Sequence, residues 1–260
     1  ALLDSAYATL GLGGAATGTL SYVKPRGGVP TGTANLRIRG LTRSGLALTP
    51  RPVDVGVNAV LSATRLAARA TINADGKTIG RAQALLTPLG SGDLMQRLPA
   101  APLFAPMRYN GPADTLWRLT GIEIIDLTGP AAVAADVRGT LDNPIINGTL
   151  ASDNATIDSP ITGMRLSSVK ARGRFGGSQL VISSFSGNAR GGGSVTGTGR
   201  FDFAGGKGVA MDLSMQATNA ALLERDDIGA TVTGPITITS DGVGGTIAGN
   251  VDLIRSRFTL

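Results

Sequence analysis

The chain has 260 residues, with 38 glycines, 42% hydrophobic, 16% charged and 4% aromatic residues, and neither histidine nor cysteine. This mixture is too apolar for a disordered polar chain, and it excludes disulfide staples, thiolate chemistry, and the commonest general base and metal ligands. A net charge of +6 favours anionic neighbours, but Arg37, Arg39, Arg43, Arg65, Arg69 and Arg81 stand singly without stacking aromatics between them, which argues against nucleic acid.

The first residues, ALLDSAYATLGLGG, lack the basic start of a signal peptide, and no later run reaches the length of apolar chain that spans a membrane. Two-residue alternation then sets in. Leu36 and Ile38 interleave with Asn35, Arg37 and Arg39, and Val53, Val55 and Val57 with Asp54, Gly56 and Asn58, each the pattern of a half-buried strand. Asp75-Gly76 separates ARATINA from KTIGRAQ as a hairpin turn. From Thr87 to Thr120 the rhythm breaks. Pro88, Pro99, Pro102, Pro106 and Pro112 exclude a central strand there, while GDLMQRL and ADTLWRL predict one or two short helices near 91–120 with Asp93 and Asp114 as caps. Trp117 is read as a packing anchor of that segment.

In VRGTLDNPIINGTL, Val137, Gly139 and Leu141 fall on one face of a strand, Asp142-Asn143-Pro144 turns the chain with an Asp or Asn side chain closing an Asx-turn, and Ile146, Gly148 and Leu150 share a face of the next strand. Strand glycines at Gly18, Gly32, Gly139, Gly148, Gly197, Gly234 and Gly249 mark bends, bulges or close approaches, at intervals too uneven for a fixed-period solenoid. Alternation continues at Phe201 and Phe203, at Met211, Leu213 and Met215, and at Ile236 and Ile238, with turns at Gly176-Gly177, Gly205-Gly206 and Asp241-Gly242. The simplest topology is an antiparallel meander. Since the chain lacks an initial Met and stops on Phe258-Thr259-Leu260 inside a strand-like pattern, it is read as a segment of a longer protein.

Catalysis is not expected. The glutamates are Glu123 and Glu224, the aspartates fall mostly in turns, and neighbours such as Asp226 and Asp227 on a strand would point to opposite faces. SGNARGGGSVTGTGRF has no Gly-Lys-Ser/Thr ending, and Gly206-Lys207-Gly208 has no helix to follow it, so no phosphate loop is predicted. No metal or cofactor is expected. What remains is a long apolar strip with almost no amphipathic helix to cover it. Either two sheets pack as a sandwich, or one sheet curls round its apolar face and leaves a groove for an apolar ligand. In the second case Leu36, Ile38, Val53, Val55, Val57, Ile146, Leu150, Met211, Leu213, Met215, Ile236 and Ile238 line it.

DVRGTLDNPIINGTLASDNATI, SPITGMRLSSVKARGRFGGSQLVISSFSGNARGGGSVTGTGRFDF and MDLSMQATNAALLERDDIGATVTGPITITSDGVGGTIAGNVDLIRSRFTL, in this order, resemble the C-terminal portion of the TamB family, the inner-membrane component of the translocation and assembly module and a member of the AsmA-like, bridge-like lipid-transfer superfamily. The resemblance runs from Leu119 to Leu260. It implies a division into an upstream β-groove segment (1–87), a Pro-rich connection with short helices (88–120) and part of a C-terminal TamB domain (121–260). It further implies an all-β, elongated, curled sheet with an open groove, the β-taco, and a periplasmic location with an inner-membrane anchor helix outside this chain. Implied partners are phospholipid acyl chains and, through regions outside this segment, a TamA-like outer-membrane β-barrel assembly factor. No catalytic residue comes with the resemblance. A Gly-rich adhesin or autotransporter passenger and a strand-binding chaperone are the alternatives.

Overall fold

A computed structural model describes residues 12–43, 52–90, 93–117, 125–203 and 208–259. Among these residues the strands are β1 (Leu12–Val23), β2 (Thr31–Arg43), β3 (Val53–Leu61), β4 (Leu66–Ala74), β5 (Lys77–Leu86), β6 (Leu103–Pro112), β7 (Asp126–Thr128), β8 (Pro130–Gly139), β9 (Pro144–Asp158), β10 (Arg165–Gly177), β11 (Gln179–Ala189), β12 (Ser194–Asp202), β13 (Ala210–Glu224), β14 (Ile228–Ser240), β15 (Gly245–Gly249) and β16 (Asp252–Phe258). All belong to one open antiparallel sheet that does not close into a barrel. Hydrogen-bonding order follows the chain from β1 to β6, passes to β8 and follows it again to β15, while β7 pairs with β9 and β16 with β14. The meander expected from the alternation is the one formed.

Two compact units divide the chain. The first is built on β1 to β6 with residues 133–148, and the second on β7, residues 149–158 of β9, and β10 to β16. In the first, Leu86, Leu89, Ala101 and Leu103 are buried together, with Leu61, Leu66, Leu98 and Val137 packed against them. In the second, the buried set is Ala155, Leu166, Val169, Ala189, Val195, Ala217, Ala220 and Val232. Half of that set is alanine, so its interior is filled as much by close backbones as by large side chains.

Turn chemistry follows local sequence. Asp75 (φ 49°) and Gly76 (φ 74°) form the two-residue turn of the β4–β5 hairpin, both in the left-handed region that a type I′ turn requires. At the β14–β15 turn, the Asp241 carboxylate accepts from the backbone N–H of Val243 (3.0 Å) and Gly244 (3.1 Å), and these bonds hold its pKa below the ordinary value. The Gly205-Gly206 turn lies outside the described residues. Helix α1 (Leu94–Ala100) begins as expected, with Asp93 accepting from Met95 N–H at 2.9 Å. Helix α2 (Ala113–Trp117) differs: Asp114 is its second residue and buried, so it is no N-cap. Trp117 anchors α2 by donating its indole N–H to the carbonyl of Ile125 (2.9 Å).

Further expectations are corrected. The prolines between Thr87 and Thr120 do not exclude a central strand, since β6 contains Pro106 and Pro112 and lies between β5 and β8. The ladder pairs Leu86 with Leu103 and Leu85 with Phe104, skips Ala105 and Pro106, and resumes at Ala82 and Met107; Pro112 is the last residue of the strand. Proline is tolerated where no ladder bond is asked of it. In VRGTLDNPIINGTL, β8 ends at Gly139 (φ 89°), leaving Leu141 in the turn and half exposed to solvent. That turn is closed by Thr140, whose Oγ1 accepts from Asn143 N–H at 3.1 Å, rather than by an Asx-turn.

Close approach explains the strand glycines. A Cβ placed at Gly148 would stand 2.6 Å from the Cα of Ala135, and one at Gly197 would stand 3.0 Å from the Cα of Met215. Gly148→Ala is expected to lower stability by about 1–3 kcal/mol, as an overpacking change does, read as a shift in the urea midpoint. Gly176→Ala, where a Cβ meets nothing within 4 Å, should stay within about 0.5 kcal/mol of the parent.

Candidate functional site

In an antiparallel ladder, directly opposed residues present their side chains on the same face. In the first unit, Leu36 stands opposite Val57 and Ile38 opposite Val55, and Val53 opposite Leu41. Val57 continues to Ala70, then Ala82 and Met107; Val55 continues to Ile72. On the other side Leu36 meets Gly18, and Ala34 meets Leu20. The five positions singled out in this half therefore share one face with an apolar row crossing β1 to β6. They are not equally open: Leu36 is 40% exposed, Ile38, Val55 and Val57 are half-buried, and Val53 is buried at 6%.

The second unit repeats the arrangement. Leu213 pairs with Ile238 and Met215 with Ile236, Ile238 continues to Ile247, and Met211 meets Phe201. Met215 and Ile236 pack against the buried cluster and so belong in part to the core, whereas Ile247 at the sheet edge is 71% exposed. On β9, Leu150 in this unit and Ile146 in the first are each half-buried, and Asp153, of opposite parity to Leu150, pairs with Arg172.

Alternation alone does not carry the apolar face through this unit. Along β13 both Ala217 and Ala220 are buried although they are three residues apart, and along β10 the same is true of Leu166 and Val169. Each interval holds a β-bulge with one non-glycine residue at positive φ, Asn219 (48°) and Ser168 (51°). The extra residue resets the parity, so the face stays apolar on both sides of the bulge. Period-two reading of sequence has no signal for such a shift. An Asn inside a strand beside small apolar residues was the available hint.

The remaining chemistry-bearing residues are dispersed. Glu224 pairs with Arg190 (3.1 Å), and Asp227 with Arg225 (3.4 Å) in the exposed β13–β14 turn. Glu123 and Lys207 lie outside the described residues. The glycine-rich run ARGGG forms a tight connection between β11 and β12, with Gly191 and Gly192 at positive φ and Ala189 N–H donating to Gly193 O at 2.8 Å. It is a hairpin turn. Among the described residues no group of three acidic side chains is placed to hold a metal ion, and no helix is long and apolar enough to cross a membrane.

The bulge gives a direct test. Asn219→Val forces a β-branched residue into the left-handed region and should cost about 1–3 kcal/mol in a denaturant titration, whereas Asn219→Gly should be nearly neutral.

No curated protein and no solved structure matches this chain. Residues 183–260 match the family model described as the TamB C-terminal domain, a stretch that begins within β11 and takes in β12 to β16. The resemblance read from Leu119 onward is wider than this match. Over residues 183–260 the chain is similar to the TamB C-terminal domain.

Proposed function

We propose that the chain is a non-catalytic, periplasm-spanning part of a translocation and assembly module, anchored in the inner membrane through a segment outside these residues, which carries phospholipid along its apolar sheet face toward the outer membrane. In this reading it supports assembly and secretion of outer-membrane proteins together with a TamA-like β-barrel partner. The observation that carries the lipid part is the ladder register, which brings Leu36, Ile38, Val55 and Val57 to one face in the first unit and Leu213, Met215, Ile236 and Ile238 to one face in the second. Acyl chains laid against these side chains gain about 0.8 kcal/mol per buried methylene, and headgroups stay toward water. Such binding needs no fixed polar contact, which suits a site without titratable groups.

A strand-binding chaperone is the second reading, favoured by one observation: every residue of β15 and β16 is exposed, including Ile247, Leu253 and Phe258. Exposed edges of this kind accept added strands.

Mass spectrometry of the purified chain under native conditions tests the lipid reading. Bound phospholipid is expected. Leu213→Asp should lower it by about tenfold or more, because a carboxylate set against an acyl chain costs more than about 1.4 kcal/mol. Ile236→Asp is a poorer probe, since Ile236 packs on the buried cluster. Lipid-free protein, or an unchanged lipid load in folded Leu213→Asp, would favour the chaperone reading.

A further inference from the structure

The face of the first unit opposite the apolar rows is cationic. Register places Arg37, Gly56, Thr71, Arg81 and Arg108 in one cross-strand line from β2 to β6, with Asn35, Asn58, Arg69 and Gln83 in the line beside it. Arg39, two residues from Arg37, shares that face. All five arginines are exposed. Two carboxylates lie near them, fewer than the arginines: Asp136 pairs with Arg108 (2.9 Å), and Asp54 accepts from Gly40 N–H (2.9 Å). Among the described residues Arg37, Arg39, Arg69 and Arg81 have no ion-pair partner.

One pairing runs against sheet stability. Arg81 and Arg108 stand directly opposite each other, an arrangement that destabilises a ladder unless an anion relieves it. Arg108 is relieved by Asp136 and by the carbonyl of Ala135 (3.0 Å). Arg81 is not.

We propose that this arginine face docks an acidic, extended polypeptide segment of a partner protein. Guanidinium forks engage carboxylates in a bidentate way, and the Thr, Asn and Gln side chains between them supply neutral hydrogen bonds. Geometry favours a flexible chain over a flat anionic membrane. At the usual strand-to-strand rotation of about 20–25°, the four steps from β2 to β6 turn a sheet face through about 80–100°, more than a flat membrane follows. A peptide can follow that turn, with carboxylates about 7 Å apart at alternate residues against arginines set about 10–14 Å apart across two or three strands. Single-stranded nucleic acid would want a run of stacking rings, whereas Phe104 on this face already has the Arg138 guanidinium over its ring at 5.2 Å.

The test is fluorescence anisotropy with labelled poly-L-glutamate at physiological salt, on the whole chain and two charge-matched variants. Arg37→Gln/Arg69→Gln/Arg81→Gln removes the face; Lys170→Gln/Arg174→Gln/Arg255→Gln removes the same charge from exposed positions of the second unit. Circular dichroism confirms that both fold. Docking predicts an affinity loss of about tenfold or more for the first variant and about twofold or less for the second. Equal losses in both variants would reduce the binding to overall charge and overturn the proposal. So would phosphatidylglycerol vesicles that bind more tightly than the polymer and depend on the same three arginines, and so would the absence of any polymer binding.

Discussion

Side chains opposed in an antiparallel ladder share a face, so a slip of one residue in any ladder would turn that strand's apolar set into water. This constraint governs the molecule. Its strands are rich in Ala, Val and Leu, few are capped by a helix, and the sheet is open, so one register error would expose a whole row rather than one residue. Hairpins hold the register where turns are short: Asp75-Gly76 fixes Ala74 opposite Lys77, and every pair from Ile72–Gly80 to Leu66–Leu86 follows after one irregularity. Because successive ladders inherit the register of the one before, the apolar row crosses from Leu20 and Ala34 through Ala59 and Ala68 to Ala84 without a covering layer being needed to specify it.

Glycines and bulges modify this rule without breaking it. Where neighbouring backbones come too close for a Cβ, as at Gly148 and Gly197, glycine is the residue that fits. Where a strand must bend, Ser168 and Asn219 take the left-handed conformation and shift the parity by one, which keeps Leu166 and Val169, or Ala217 and Ala220, turned to the same interior. Small side chains at these points allow the backbones to approach, and dispersion between them takes the place of a bulky core. An interior of this kind can adjoin an apolar surface that remains partly open, which is what a lipid path requires.

Much of the fold was legible from the residues alone because its main signal is local. Two-residue alternation located β2, β3, β13 and β14, and the Asp-Gly pair predicted a turn whose backbone needs positive φ twice. The helix start at Asp93 was legible for the same reason. What failed depended on partners. Pro106 reads as a strand breaker until the ladder is seen to skip it, and Leu141 reads as a strand residue until Gly139 is seen to turn the chain. The apolar face was half legible: each strand's alternation assigns its own two faces, but only register says that Leu36 meets Val57 and Leu213 meets Ile238, and only packing distinguishes buried Val53 from exposed Leu36. The arginine face was missed as a face because Arg37, Arg69 and Arg81 lie singly along the chain and become neighbours only across strands.

The central claim is that one face of the sheet, and not the other, carries acyl chains. Photo-cross-linking in cells decides it most directly, with a benzophenone amino acid placed at Leu213 and, separately, at its strand neighbour Ser214, whose side chain points to the opposite face. The account predicts phospholipid adducts from position 213 and a background level from position 214. Equal adducts from the two positions, or adducts from 214 alone, would contradict it.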